Sequence, residues 1–167
     1  DVMVNKVTPA LFAKYPDANA LAAAAPAELE KLIHSTGFYR NKAKNLIGMA
    51  TAVRDHFKGE IPRTMEEMLT LPGVARKTAN VVLGSGFAIA EGIVVDTHVI
   101  RLSGRVGLTR HKTSDQIERA LVLLFPRESW NYLSTALILQ CRELCSAHPP
   151  QCGDRQILSF VPSAHTD

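Results

Sequence analysis

Cysteine is scarce and oddly placed: Cys141, Cys145 and Cys152 are the only three in 167 residues. An odd count clustered so late excludes a disulfide-stapled secreted fold. No apolar run is long enough to cross a bilayer, because Asn, Gln and Arg interrupt the longest helical candidate near the C-terminus. The opening Asp1-Val2-Met3-Val4-Asn5-Lys6 lacks the basic start and apolar stretch of a secretion signal. The default expectation is therefore a cytoplasmic chain with no membrane partner. Strand signals are missing too: Ile93-Val94-Val95 is the only β-branched run, too short and isolated to build a sheet. There is no internal repeat and no strong excess of one charge. A net charge of +3 and a pI near 8.9 mean only that a polyanion would not be repelled.

Helix signals fill what remains, and the expected fold class is all-α. Between Asn41 and Phe57, Ala43, Leu46, Ile47, Ala50, Val53 and Phe57 recur every three or four residues, the stripe of a half-buried helix. A shorter helix is expected over Val4 to Tyr15, stopped by Pro16. Another spans Ala18 to Ala25, and Pro26 opens the next, which ends near His34. Thr64 and Glu67 form a capping-box pattern for a helix to about Leu71, and the following helix runs from Arg76 to about Gly84. Asp96 or Thr97 caps a helix through Val99, Ile100 and Leu102. Thr113 and Gln116 repeat the capping box ahead of Ile117, Leu121 and Leu124. Trp130, Leu133, Leu137 and Leu144 lie to one side of a final long helix, and after Pro149-Pro150 the chain is expected to be irregular. The glycine-rich piece between Phe87 and Ile93 marks the boundary between a lobe of residues 1–89, containing the helix–turn–helix unit 64–84, and a lobe of residues 90–167.

That unit joins its helices through Leu71-Pro72-Gly73-Val74-Ala75. Pro72 ends the first helix, and Gly73 supplies a backbone conformation or a close approach that a side chain would block. Val74 plugs the angle between the helices, so that backbone N–H groups of the turn and of the next helix face outward. With the helix dipole these form a site for an anion such as a DNA phosphate. Turn carbonyls pointing the other way suit a monovalent cation, and Arg76 and Lys77 follow where outward cations engage a DNA backbone. A plain helix–helix turn accounts for the same residues.

Lys77 stands in the first turn of a helix whose later positions Ala79, Val81, Val82 and Leu83 are apolar. The helix N-terminus and partial burial would both favour the neutral, nucleophilic amine. Asp96 follows the apolar run 93–95, at the edge of buried structure, and could accept a proton or stabilise charge on a sugar ring. It also suits a helix cap. The two roles are compatible if one oxygen takes the backbone N–H while the other faces a cleft. His98 could brace Asp96 or touch phosphate, or be an ordinary buried histidine. Arg101 and Arg105, four apart, share a face and could bind phosphate or pair with a carboxylate.

The stretch Leu71-Pro72-Gly73-Val74-Ala75-Arg76-Lys77-Thr78-Ala79-Asn80-Val81-Val82, with Val95-Asp96-Thr97-His98-Val99-Ile100-Arg101, resembles the endonuclease III family of helix–hairpin–helix DNA glycosylases. The likeness runs from Asp1 to about Cys152. It implies a Schiff-base lysine at Lys77, an assisting aspartate at Asp96, and phosphate contacts from the backbone of Gly73 and Ala75. It further implies removal of an oxidised pyrimidine flipped out of double-stranded DNA, then strand cleavage by β-elimination, by a monomer. Thr36-Gly37-Phe38-Tyr39-Arg40-Asn41-Lys42-Ala43 resembles the family loop that inserts an apolar wedge, with Phe38 where leucine is usual; the alternative is a core phenylalanine at a helix junction.

The sequence departs from the family at three places. Ala75 stands where glycine is usual, which is tolerable only without a positive φ. Many members hold a [4Fe–4S] cluster on four cysteines; here Cys145 and Cys152 fit the first two positions, but Arg155 and Val161 occupy the others, so residues 145–161 are a vestigial cluster region and no cluster is expected. Cys141, Cys145, His148 and Cys152 also read as a compact zinc set, although Cys141 more naturally serves as a small core residue. Finally, Asp1-Val2 matches a point inside the family pattern, after a segment that normally supplies one or two helices and a glutamine near the flipped base. Two other functions are therefore carried alongside a bifunctional glycosylase and lyase. One is a helix–hairpin–helix DNA-binding fragment without activity, and the other a monofunctional glycosylase that uses water.

Overall fold

A computed structural model describes residues 2–144, with the backbone alone for 142–144. The expectations for Cys145, His148, Cys152 and the 145–161 region lie outside the described residues. The chain forms α1 (Val2–Lys14), α2 (Ala18–Ala22), α3 (Pro26–Ile33), α4 (Tyr39–Phe57), α5 (Met65–Leu69), α6 (Arg76–Phe87), α7 (Thr97–Arg105), α8 (Ser114–Leu124) and α9 (Trp130–Leu144). Short 3-10 turns occur at His34–Thr36 and Arg127–Ser129. Among the described residues there is no strand.

Two compact units divide at Ala79 and Asn80. The division falls inside α6, upstream of the glycine-rich piece that the sequence suggested. The helix itself does not stop at Gly84. It continues through Gly86 to Phe87 and ends with Ala88 at φ 57°, where the Ile89 N–H donates to the Leu83 carbonyl at 2.9 Å. This left-handed terminus is usually glycine, because a β-carbon there crowds the carbonyl. Ala88→Gly should accordingly raise stability by about 0.5–1 kcal/mol, read as a higher denaturant midpoint at unchanged slope. An unchanged or lower midpoint contradicts it.

In the first unit α4 packs against α2 and α3 around Leu11, Leu21, Leu29, Ile33, Ala43 and Ala50. Local signals set the ends of the elements. Asp17 caps α2 by accepting from the Ala20 N–H at 2.8 Å, and Pro26 sits in the first turn of α3. Thr64 caps α5, its hydroxyl accepting from the Glu67 N–H at 3.3 Å and donating to the Glu67 carboxylate at 2.8 Å. The exposed Lys14–Glu28 pair, 2.7 Å apart, joins α1 to α3 and contributes little to stability.

In the second unit Ile93, Val95, Val99, Ile117 and Leu121 form the core, with Leu133 and Leu137 of α9 packed on it. Gly84 belongs to close packing here, since the Asn131 side chain fills the space a β-carbon would need. The capping box expected at Thr113 does not form. Thr113 holds the N-cap position of α8, but its hydroxyl makes no capping bond.

Candidate active site

The turn between α5 and α6 closes where the Val74 N–H donates to the Leu71 carbonyl at 3.1 Å. Pro72 at the second position and Gly73 with φ 76° at the third match a type II turn, which requires positive φ at that third residue. Space forbids a side chain as well, because a β-carbon on Gly73 would stand 2.8 Å from the Asn45 Cβ. One helical turn along α4, Gly48 receives Pro72, whose Cβ lies 3.3 Å from where a Gly48 β-carbon would be. Asn45 and Gly48 thus form the seat of the hairpin, a role that sequence reasoning missed. The signal was present: a glycine three residues after asparagine, inside an otherwise good helix, asks for a close approach. Gly73→Ala should cost about 1–3 kcal/mol in thermal or denaturant unfolding and weaken duplex affinity in fluorescence anisotropy. Native stability and native affinity together would contradict this construction of the turn.

Val74 is half-buried, as a plug should be, but its N–H is consumed by the turn and does not face outward as expected. The outward donors lie further on. The first helical bond of α6 runs from the Ala79 N–H to the Ala75 carbonyl at 3.0 Å, so the earlier N–H groups of that turn precede any intrahelical partner. Ala75 is absent from the positive-φ residues, so its backbone tolerates the methyl group.

Arg76, Lys77 and Thr78 are all exposed. For Lys77 this corrects the expected partial burial. Two residues on, Ala79 is 0% exposed, and two residues rotate about 200° around a helix, so the buried stripe turns Lys77 outward.

Asp96 is fixed from both sides. Before it, Ile93 and Val95 are buried, and the Val94 N–H donates to the Ser134 hydroxyl of α9 at 2.9 Å. After it, its Oδ1 accepts from the N–H groups of His98 at 2.9 Å and Val99 at 3.0 Å, making Asp96 the N-cap of α7. Both bonds use one oxygen, which leaves Oδ2 outside the cap. Lys77 belongs to the first unit and Asp96 to the second.

Phe38 is 89% exposed, which overturns the core alternative. Gly37 at φ 67° and Phe38 at φ 47° form a knuckle ahead of α4. Lys42 braces it, its Nζ donating to the Thr36 carbonyl at 2.8 Å. A left-handed aromatic residue costs about 1–2 kcal/mol, a strain that here holds a ring in solvent.

His98 is half-buried and lies 3.4 Å, Nδ1 to Nη2, from Arg101, which also donates to the Cys141 Sγ at 3.1 Å. Cys141 is 1% exposed, a core residue as its chemistry suggested. Since α7 reaches Arg105, that residue shares a helical face with Arg101. Among the described residues no group of three or more His, Cys, Asp and Glu side chains is placed to hold a metal. With three cysteines in the sequence and Cys141 accepting from Arg101, a four-thiolate set for [4Fe–4S] does not fit these residues.

An all-helical chain with a Pro-Gly turn between two helices matches the fold of solved helix–hairpin–helix endonuclease III structures. The chain belongs to the HhH-GPD superfamily of base excision DNA repair proteins, whose family model matches residues 1–127. It is 55% identical over 164 residues to endonuclease III of Synechocystis sp., covering 98% of this chain and 75% of that protein. It superposes on a trapped endonuclease III–DNA covalent intermediate, an estranged-adenine complex, with TM-score 0.92 and 39% identity over 98% of this chain and 77% of the other. A non-covalent endonuclease III–DNA complex matches with TM-score 0.91 and 39% identity, over 98% and 76% of the two chains.

Proposed function

We propose that the chain is a bifunctional DNA glycosylase and abasic-site lyase of base excision repair, acting on oxidised pyrimidines in double-stranded DNA. The observation that carries this is the match, across 98% of the chain, to an endonuclease III trapped covalently on DNA. A covalent intermediate requires a nucleophile on the protein, and we assign that role to the exposed Lys77 amine at the start of α6.

In this reading the neutral amine bonds to C1′ of the damaged nucleotide. The C1′–N glycosidic bond breaks with its electron pair going to the base, which takes a proton. The nitrogen lone pair then opens the C1′–O4′ bond, whose electron pair goes to O4′; O4′ takes a proton to become a hydroxyl, leaving an iminium between Lys77 and the sugar. Loss of a C2′ proton expels the 3′ phosphate, and water releases the amine. Asp96 offers Oδ2 to the proton of the attacking amine and to positive charge developing on the ring. The backbone around Gly73 and Ala75, with Arg76, holds a phosphate at the hairpin, and Phe38 fills the gap left by the flipped base.

The test is a duplex carrying one oxidised pyrimidine, compared with an intact duplex and one with an abasic site. Base release is expected from the oxidised duplex, and a β-elimination product and a borohydride-trapped adduct from both the oxidised and the abasic duplex. Base release without an adduct would turn the reading to a monofunctional enzyme, and binding without release or scission to a DNA-binding fragment.

A further inference from the structure

Phe38 breaks three local rules at once. Its φ of 47° is left-handed, where a β-carbon is crowded. It holds the N-cap position of α4, which favours Ser, Thr, Asp or Asn, and makes no side-chain capping bond. Its ring is 89% exposed. An apolar groove of ≈ 490 Å³ opens beside the knuckle, with Thr36 and Lys42 in its wall next to Phe12, Ile33, Leu46 and Met49. Relief of strain and burial of the ring both pull Phe38 away from its conformation, so something must hold it there.

Lys42 grips the knuckle on both sides of Gly37. Its backbone N–H donates to the Phe38 carbonyl at 3.0 Å, and its Nζ donates to the Thr36 carbonyl at 2.8 Å. The Thr36 hydroxyl donates in turn to the Ile33 carbonyl at 2.8 Å, which ties that side to the end of α3. The His34 and Tyr39 rings, with centroids 4.4 Å apart, close the base of the knuckle. Ring contacts are broad in geometry, so the direction of the Thr36 carbonyl is left to the Lys42 bond.

We propose that Lys42 is a positioning residue for entry into the base stack. Its ammonium holds Phe38 extended, so that the ring reaches the gap left by a flipped nucleotide without a prior rearrangement. The proposal rests on the reading of Phe38 as the wedge, and it makes Lys42 act through Phe38 and not through the DNA backbone.

The experiment uses the full chain and a duplex with a stable abasic analogue opposite 2-aminopurine, a fluorescent base quenched by stacking. No bond is broken, and the orphan base reports what enters the gap. Fluorescence is read at saturating protein, and affinity by anisotropy over a range of salt. Phe38→Ala should lose the fluorescence change that the parent gives. Lys42→Met keeps the side-chain stem without a donor. It should lose most of the change at saturation, yet melt close to the parent because Lys42 is exposed. Lys42→Arg restores a donor and should recover most of the change. A phosphate contact behaves otherwise: Lys42→Met would weaken binding, lower the salt slope by about 1, and give the parent's fluorescence at saturation. That result overturns the proposal, as does a loss in Lys42→Arg equal to that in Lys42→Met. If the parent and Phe38→Ala give the same fluorescence, the wedge reading itself fails and takes the role of Lys42 with it.

Discussion

Lys77→Ala is expected to give no borohydride-trapped adduct and to lower strand scission at an abasic site by about 10³-fold or more, as removal of a covalent nucleophile does. The fold should not be affected. Lys77 is exposed in the first turn of α6, where a cation is electrostatically unfavourable, so the stability change should stay within about 0.5 kcal/mol. Lys77→Arg provides the complementary result. It keeps a positive charge for the DNA backbone, but a guanidinium does not form an imine, so duplex affinity should survive while the adduct is lost. The pair of variants separates charge from nucleophilicity. An adduct of undiminished yield in Lys77→Ala sinks the assignment of this amine, whatever happens to binding.

The hairpin was legible in the sequence because its determinants are local. Pro72 and Gly73 specify a turn through φ alone, and Thr64 with Glu67 specifies a cap through one hydroxyl and one N–H. Asp96 was legible for the same reason, since a carboxylate placed just ahead of an apolar helix finds free N–H donors wherever the helix sits. The features that escaped depend on packing between elements. Nothing local distinguishes Asn45 as the neighbour that excludes a β-carbon at Gly73. The burial of Lys77 was misjudged because the apolar character of α6 was read as a property of the whole helix. Burial is a property of one stripe, and Ala79 rather than Lys77 lies on it. The end of α6 was misplaced for a related reason. Gly84 looked like a terminator by propensity, whereas its missing side chain accommodates Asn131 and the helix continues.

Asp96 carries two roles that substitution can pull apart. Asparagine is as good an N-cap as aspartate, so Asp96→Asn should keep the bonds to the His98 and Val99 N–H groups and melt within about 0.5 kcal/mol of the parent. Asp96→Ala loses both bonds and should destabilise by about 1–2 kcal/mol. Both variants lack the carboxylate, and both should lose about 10²–10⁴-fold in base release, the range for a positioned acid–base group. The diagnostic result is therefore a mismatch, with stability separating the two substitutions and rate failing to separate them. If Asp96→Asn kept its rate within a few-fold of the parent while Asp96→Ala lost both rate and stability, the carboxylate would be a cap alone. The outcome turns on Oδ2, because Oδ1 is already committed to α7 and cannot also serve the sugar without releasing the helix it holds.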